Sequence, residues 1–223
     1  MGFYRRYILP WLIHAGMGNT QLAPLRSGMI QAAHGRVLEI GIGSGLNIPF
    51  YGRNVMQVIG VDPSRTLLNQ ARQTAVWSRC PVRLLEAQYG ALPLASRSMD
   101  CVVMTFTLCH VIDPIGALGE IRRVLKPGGE LLFVELGRAS DDQPRVQFWQ
   151  EQVSPFLSHL AGNCHLDRRI DQLLRATGFG LDSLDAGYLV EGPKIMTYCY
   201  RGRASILETF EPLSIGLVEK TVP

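Results

Sequence analysis

The 223-residue chain predicts an α/β fold, a mainly parallel sheet of seven strands with helices on both faces and a helical extension at its N-terminus. Three observations predict it. Apolar runs of strand length alternate with helix-periodic segments between residues 35 and 203. The run Cys101–Phe106 is apolar throughout, as a parallel strand buried on both faces requires. Val37-Leu38-Glu39-Ile40 leads straight into Gly41-Ile42-Gly43-Ser44-Gly45, a strand delivering its end to a loop that lies close against something.

Residues 1–34 read as a helical segment placed before the sheet. Arg5-Arg6 and the apolar stretch Tyr7–Ile13 imitate a secretory signal, but Pro10 interrupts the stretch and no small-residue cleavage site follows. It falls well short of the roughly 20 residues that cross a bilayer. A basic, aromatic, amphipathic face remains, with Tyr4, Ile8, Trp11 and Ala15 along it. That face packs on the domain as a lid, or touches a membrane surface peripherally.

The first strand, Arg36–Ile40, ends in the glycine loop, and an irregular segment broken at Pro49 and Gly52 follows. Strand Gln57–Val61 yields at Asp62-Pro63-Ser64 to a helix reaching about Thr74; Pro and Ser suit a helix start, where N–H groups lack partners. Strand Val82–Glu86 and a loop through Leu92-Pro93-Leu94 precede strand Cys101–Phe106. Asp113-Pro114 opens a helix with Ile115, Leu118, Ile121 and Leu125 on one face, which Lys126-Pro127-Gly128-Gly129 ends. Strand Glu130–Leu136 follows, and then an insertion at about 139–166 with Phe148-Trp149 in it as lid packing. Arg168-Arg169 reads as a solvated start to a helix from about Asp167 to Thr177, closed by Gly178. Strands near Phe179–Asp185 and Ile195–Tyr200 complete the sheet, and 204–223 is a tail without a structural reading.

Length fits one domain, and 47% hydrophobic against 18% charged residues describes a folded, rather apolar globule. The net charge of +3, with no basic run interleaved with aromatics, argues against a nucleic-acid partner. Five scattered cysteines without a C-x-x-C pair read as reduced thiols, so a cytoplasmic chain is expected, peripheral at a membrane surface at most. Oligomeric state leaves no trace in the sequence.

The glycine loop carries the chemistry. Glycines there let backbone N–H groups approach a ligand with no Cβ between. Val58-Ile59-Gly60-Val61-Asp62, about twenty residues on, ends a second strand in a carboxylate placed to accept both hydroxyls of a ribose. Dinucleotide sites want G-x-G-x-x-G, but here the third glycine is Gly45 and Leu46 stands where the dinucleotide glycine would be. Glu39 ahead of the loop would repel a phosphate and attract an amine. S-adenosylmethionine has an ammonium, a sulfonium and a ribose, and no phosphate. That cofactor is the first inference, with a nicotinamide-dependent oxidoreductase as the rival that Leu46 disfavours.

Together these residues resemble the class I S-adenosylmethionine-dependent methyltransferases over roughly 36–200. Glu39-Ile40-Gly41-Ile42-Gly43-Ser44-Gly45 looks like the cofactor loop and Asp62 like the ribose acid. Gln88-Tyr89 falls where the family reads adenine, and Ile121-Arg122-Arg123-Val124-Leu125-Lys126-Pro127-Gly128-Gly129 is close to the signature before the fifth strand. The resemblance implies a Rossmann-like doubly wound sheet, with Asn47, Pro63 and Thr105 also beside the cofactor. A narrower likeness, in Thr107-Leu108-Cys109, Phe148-Trp149-Gln150 and Gly162-Asn163-Cys164-His165-Leu166, is to the methyltransferase-like subgroup that includes membrane-associated small-thiol methyltransferases.

Methyl transfer from a sulfonium mainly needs alignment, and a base only for a protonated acceptor. A thiol with pKa about 8.5 is partly ionised already, and no His/Asp pair is arranged for base duty. A small, thiol-bearing acceptor is therefore expected. Lipid-amine or quinone methylation, and a non-catalytic protein that binds the cofactor to act by interaction, stay open. Cys109 and His110 follow the fourth strand and border the methyl end of the cofactor, so either touches substrate or packs. Glu135 is a base or a carboxylate facing a helix. His165 and Tyr188 complete the acceptor-pocket candidates, with Lys194 near them in a late loop. Cys109, His110, Cys164 and His165 lack recognised metal-ligand spacing, and no metal is expected.

Overall fold

The structure is a computed structural model that describes residues 22–160 and 163–209, the side chains of 157–160 excepted. The Tyr4–Ala15 face, the Trp11 lid or membrane contact and the tail beyond 209 lie outside the described residues. Helix α1, Leu22–Ile30, leads to strand β1, Gly35–Ile40. A 3-10 turn, Ile48–Phe50, precedes strand β2, Val55–Asp62, and helix α2, Arg65–Ala75. Strands β3, Val82–Glu86, and β4, Met99–Thr105, come next, then a 3-10 turn at Leu108–His110 and helix α3, Pro114–Val124. Strand β5, Leu125–Leu136, is followed by helices α4, Pro144–Leu160, and α5, Ile170–Ala176. Strand β6, Phe179–Tyr188, a short helix α6, Lys194–Thr197, and strand β7, Tyr198–Ile206, end the described chain.

The seven strands form one sheet in the order β3-β2-β1-β4-β5-β7-β6. The first five are mutually parallel, and β7 runs antiparallel to both β5 and β6. The order reverses between β1 and β4, so their C-terminal ends open the crevice where such sheets take ligands. This is the Rossmann-like doubly wound sheet the sequence predicts.

Strand alternation divides the core in two. Leu38, Ile40, Val102, Met104, Leu131 and Phe133 face Leu118, Ile121 and Val124 of α3 and Ile170 and Leu174 of α5. Val37, Val58, Cys101, Val103, Leu132 and Val134 face Leu25, Met29 and Ile30 of α1 and Leu68 of α2. Both faces of the central strands are therefore apolar, which is why they read as unbroken runs.

Several elements differ from expectation. Ile115 on α3 is 43% exposed, and Ala117 and Val124 take the buried positions beside Leu118 and Ile121. Strand β5 begins at Leu125, with Lys126–Gly129 bulging out between the pairs Met99↔Leu125 and Cys101↔Glu130. The last strand starts at Tyr198 and continues to Ile206, because Pro193 leads Lys194–Thr197 into a helical turn. The 139–166 stretch contains the 17-residue helix α4, with Pro155 inside it. Polar side chains anchor that helix. Gln150 accepts from the Ala139 N–H and donates to the Gly137 carbonyl, Gln147 donates to the Ala139 and Ser140 carbonyls, and Ser154 accepts from the Leu166 N–H. Phe148, Trp149 and Phe156 on the same helix are exposed, so among the described residues nothing packs under Phe148-Trp149 as a lid would.

Candidate functional site

Glycines at the end of β1 shape the site, and they do so for two different reasons. All three take positive φ: 71° at Gly41, 55° at Gly43 and 82° at Gly45. A Cβ on Gly41 would stand 2.2 Å from the Thr107 hydroxyl, and one on Gly45 would stand 2.7 Å from Ile48 and 3.2 Å from Ala71 of α2. On Gly43 the nearest atom would be a carbonyl oxygen at 3.9 Å. Gly41 and Gly45 thus seat the loop on its neighbours, whereas Gly43 faces open space.

Asp62, at the end of β2, is tied to that open turn. Its carboxylate accepts from the Gly43 N–H at 3.1 Å, from the Ser64 N–H at 2.7 Å and from the Tyr89 hydroxyl. Burial pushes it up to about 6 against these hydrogen bonds. Ser64 caps α2 by accepting from the Leu67 N–H, so the helix start and the Asp62 carboxylate are fixed together. Pro63 and Gln88 lie exposed beside them.

Glu39 is 1% exposed, and both of its oxygens are held. Asn47 donates to one at 2.8 Å while also donating to the Thr105 hydroxyl at 2.9 Å; the Tyr51 hydroxyl donates to the other at 2.7 Å. Burial raises Glu39 to about 7 in spite of these donors and of Arg26 nearby. The Arg26 guanidinium, buried on α1, donates to Asn47 at 3.4 Å and lies over the Phe106 ring at 5.4 Å. Arg26 and Tyr51 escaped the sequence reading. Their ties to Glu39 and Asn47 are tertiary, and neither falls in a glycine or acid motif. A buried Tyr after the loop and an Arg on the preceding helix carry no local signal.

Chain reversal after β4 occurs at Phe106, whose φ of 52° is unusual for a residue with a side chain. Glu135 of β5 holds the turn: its two oxygens accept from the Thr107 and Leu108 N–H groups, each at 2.9 Å. It is 0% exposed and raised by burial to about 8. Glu135 thus braces the turn through both oxygens, a part that neither sequence reading, base or helix-facing carboxylate, gave it.

Cys109 and His110 follow on the 3-10 turn, and the segment after α4 packs against them. The His165 N–H donates to the Cys109 carbonyl at 2.8 Å, the Asn163 side chain donates to the His110 carbonyl at 3.2 Å, and Arg168 donates to the Leu108 carbonyl. Arg168 is thereby part-buried in this cluster, not solvated as the sequence suggested, while Arg169 pairs with Asp141. Cys109 and Cys164 are buried with Leu166 in an apolar cluster that Leu136 borders. A hydrogen bond with Cys109, and burial after it, push the Cys164 thiol above its ordinary range. The ligand atoms of Cys109, His110 and Cys164 all lie within 4.8 Å of one another. The His165 ring turns elsewhere, to Asn163 at 3.3 Å and Asp167 at 3.9 Å. Tyr188 joins another group, stacked edge-on with Tyr198 at 5.4 Å, bonded to Gln143 and lying under the Lys194 ammonium.

A doubly wound sheet with buried carboxylates near the ends of β1 and β2, and a glycine turn beside them, suits a nucleoside cofactor without phosphate. Residues 38–133 match the Methyltransf_11 family, a methyltransferase domain. That match to a methyltransferase domain covers a little under half of the chain. Thiol S-methyltransferase TMT1B of Rattus norvegicus is 36% identical over 136 residues, 59% of this chain and 54% of that protein. Phosphatidylethanolamine N-methyltransferase of Cereibacter sphaeroides is 33% identical over 129 residues, 56% of this chain and 63% of that one. The matched segments thus span about half the length of these curated relatives, or somewhat more. An S-adenosylmethionine-dependent methyltransferase of Thermotoga maritima shares the fold, with TM-score 0.64 and 24% identity over 90% of this chain and 97% of that one. Among the described residues no helix is long and apolar enough to cross a membrane.

Proposed function

We propose that the protein transfers the methyl group of S-adenosylmethionine to the sulfur of a small thiol. The residues present fit that cofactor. Asp62 takes the ribose hydroxyls, the Gly43 turn gives close backbone approach, and Glu39 acts on the ammonium through the Asn47 amide. Arg26 supplies the cation for the carboxylate, and Tyr89 and Gln88 border the base. When bound, the cofactor supplies a methyl group already activated by the sulfonium charge.

The observation that carries the choice of acceptor is the cluster of Cys109, Cys164 and Leu166 beyond β4, apolar and sulfur-lined where a neutral, soft nucleophile would rest. Glu135, the buried carboxylate nearest in sequence to that turn's partner strand, is spent on two backbone N–H groups. A partly ionised thiol needs less help from a base than an ammonium or a ring carbon does. Likeness to a thiol S-methyltransferase points the same way.

The test is transfer of labelled methyl from S-adenosylmethionine to small thiols, to vesicles containing phosphatidylethanolamine and to demethylated quinones. Label in a thioether is the expected result. Label confined to the lipid extract would overturn the thiol assignment in favour of lipid or quinone chemistry, and tight cofactor binding without turnover on any acceptor would leave an interaction protein.

A further inference from the structure

We propose that Cys109, His110 and Cys164 form a three-ligand site for a borderline-soft divalent cation of the zinc type, with an open fourth position for the acceptor thiolate. The second half of this proposal rests on the thiol reading above; the first half does not.

The donor set is two sulfurs and one imidazole nitrogen, which zinc favours over calcium or magnesium. Tetrahedral zinc, with bonds of about 2.3 Å to sulfur and about 2.0 Å to nitrogen, holds such donors roughly 3.5–3.8 Å apart. In the protein all three lie within 4.8 Å of one another. Side-chain rotations of about an ångström close the difference.

The two segments that bring the donors together are already fixed by their backbones. His165 N–H to the Cys109 carbonyl and Asn163 to the His110 carbonyl lock the turn after β4 to the irregular stretch after α4. Leu166 N–H to Ser154 locks that stretch to α4 itself. Little conformational entropy then opposes binding. Sequence spacing hides the set, because Cys109-His110 and Cys164 are more than fifty residues apart.

Charge also balances. Two thiolates neutralise a divalent cation, and a third thiolate from the acceptor would leave one negative charge beside the Arg168 guanidinium, which interacts with both cysteines. On coordination each cysteine, and the acceptor thiol, gives its proton to solvent and keeps its electron pair on sulfur. The acceptor would thus be held as thiolate with no general base.

Cobalt(II) added to the fully reduced, full-length protein tests the site by its absorption. We expect one equivalent to give the visible bands of tetrahedral cobalt together with thiolate-to-metal charge transfer. Cys109→Ser, Cys164→Ser and His110→Ala should each weaken binding by at least about 100-fold, the upper range for losing even an outer partner of a ligand. Cys80→Ser, remote from the cluster, should change nothing, and retained S-adenosylmethionine binding reports that each variant folds. Absence of charge transfer in the wild-type protein, or its persistence in both the Cys109 and Cys164 variants, overturns the site. A small aliphatic thiol added to the cobalt protein should intensify the charge transfer; no change overturns the fourth-position assignment. Thioether formation by protein that gives no cobalt signature sinks the site and keeps the thiol reading, while a full signature without thiol methylation does the reverse.

Discussion

Gly41 and Gly43 stand two residues apart in one loop and answer different demands. An alanine at either pays for positive φ, roughly 1–2 kcal/mol. At Gly41 it also drives a methyl to 2.2 Å from Thr107, whereas at Gly43 it meets nothing nearer than 3.9 Å in the protein itself. Gly41→Ala should therefore lower the melting temperature strongly. Gly43→Ala should cost only that backbone strain yet weaken S-adenosylmethionine binding, because the methyl occupies the ligand's own approach. Thermal unfolding beside calorimetric titration separates the two; equal stability losses would refute the distinction. Asp62→Ala removes the ribose acceptor and should raise the cofactor dissociation constant at least tenfold, about 1.4 kcal/mol. Asp62 and Glu39, raised to about 6 and about 7, are partly protonated near neutrality without ligand. A cationic cofactor favours their ionised forms, so affinity should rise as pH climbs through about 6 to 7, and titrations across that window check it. An affinity flat with pH would show that neither carboxylate meets the ligand's charge.

At the level of elements, the central parallel strands were legible because both faces of their middle stretches are buried and almost wholly apolar, as in Cys101–Met104. Glu39, the three glycines and Asp62 were legible for a related reason: each sits at a strand end, where local sequence and ligand position coincide. Helix α4 was not. Its contacts run through Gln147, Gln150 and Ser154, and its large apolar residues Phe148, Trp149 and Phe156 point to solvent, so no apolar period announces it. Arg26 and Tyr51 were invisible because tertiary packing alone assembles them, and the Cys109, His110 and Cys164 set, considered with His165, had no spacing to mark it. Glu135 shows how an element turns a familiar residue to a different use. Both of its oxygens hold the turn after β4, so Glu135→Gln sets an amide N–H against a backbone N–H and should destabilise the fold by about 1–3 kcal/mol. Urea unfolding measures that loss. Full stability with abolished methyl transfer would instead make Glu135 the base.

For the whole molecule, three buried carboxyls share a direction. Asp62, Glu39 and Glu135 have folded-state values of about 6, about 7 and about 8, all above their ordinary range, because burial outweighs their hydrogen bonds. A carboxyl raised on folding holds a proton in the native state that the unfolded chain has released, so its contribution falls as pH rises through the folded value. His165, lowered by burial, slopes the other way, but that gain levels off about a unit above its ordinary value of 6.5 and opposes only the lower part of the range. Asp100, Glu120 and Asp141, held low by Lys126, Arg123 and Arg169, are ionised throughout this range and add no slope. Between about pH 6.5 and 8.5 the ligand-free protein should therefore lose thermal stability as pH increases. Saturating S-adenosylmethionine should flatten the part of that slope due to Glu39, which acts on its ammonium, and Asp62, which accepts from its ribose hydroxyls, and leave the part due to Glu135, which meets neither. Melting temperatures with and without cofactor at each end of the window measure both slopes. Parallel slopes would place the cofactor's charges away from β1 and β2 and undo the site assignment, whereas a slope abolished by the cofactor would put Glu135 within its field and reopen the acceptor pocket around the turn it braces.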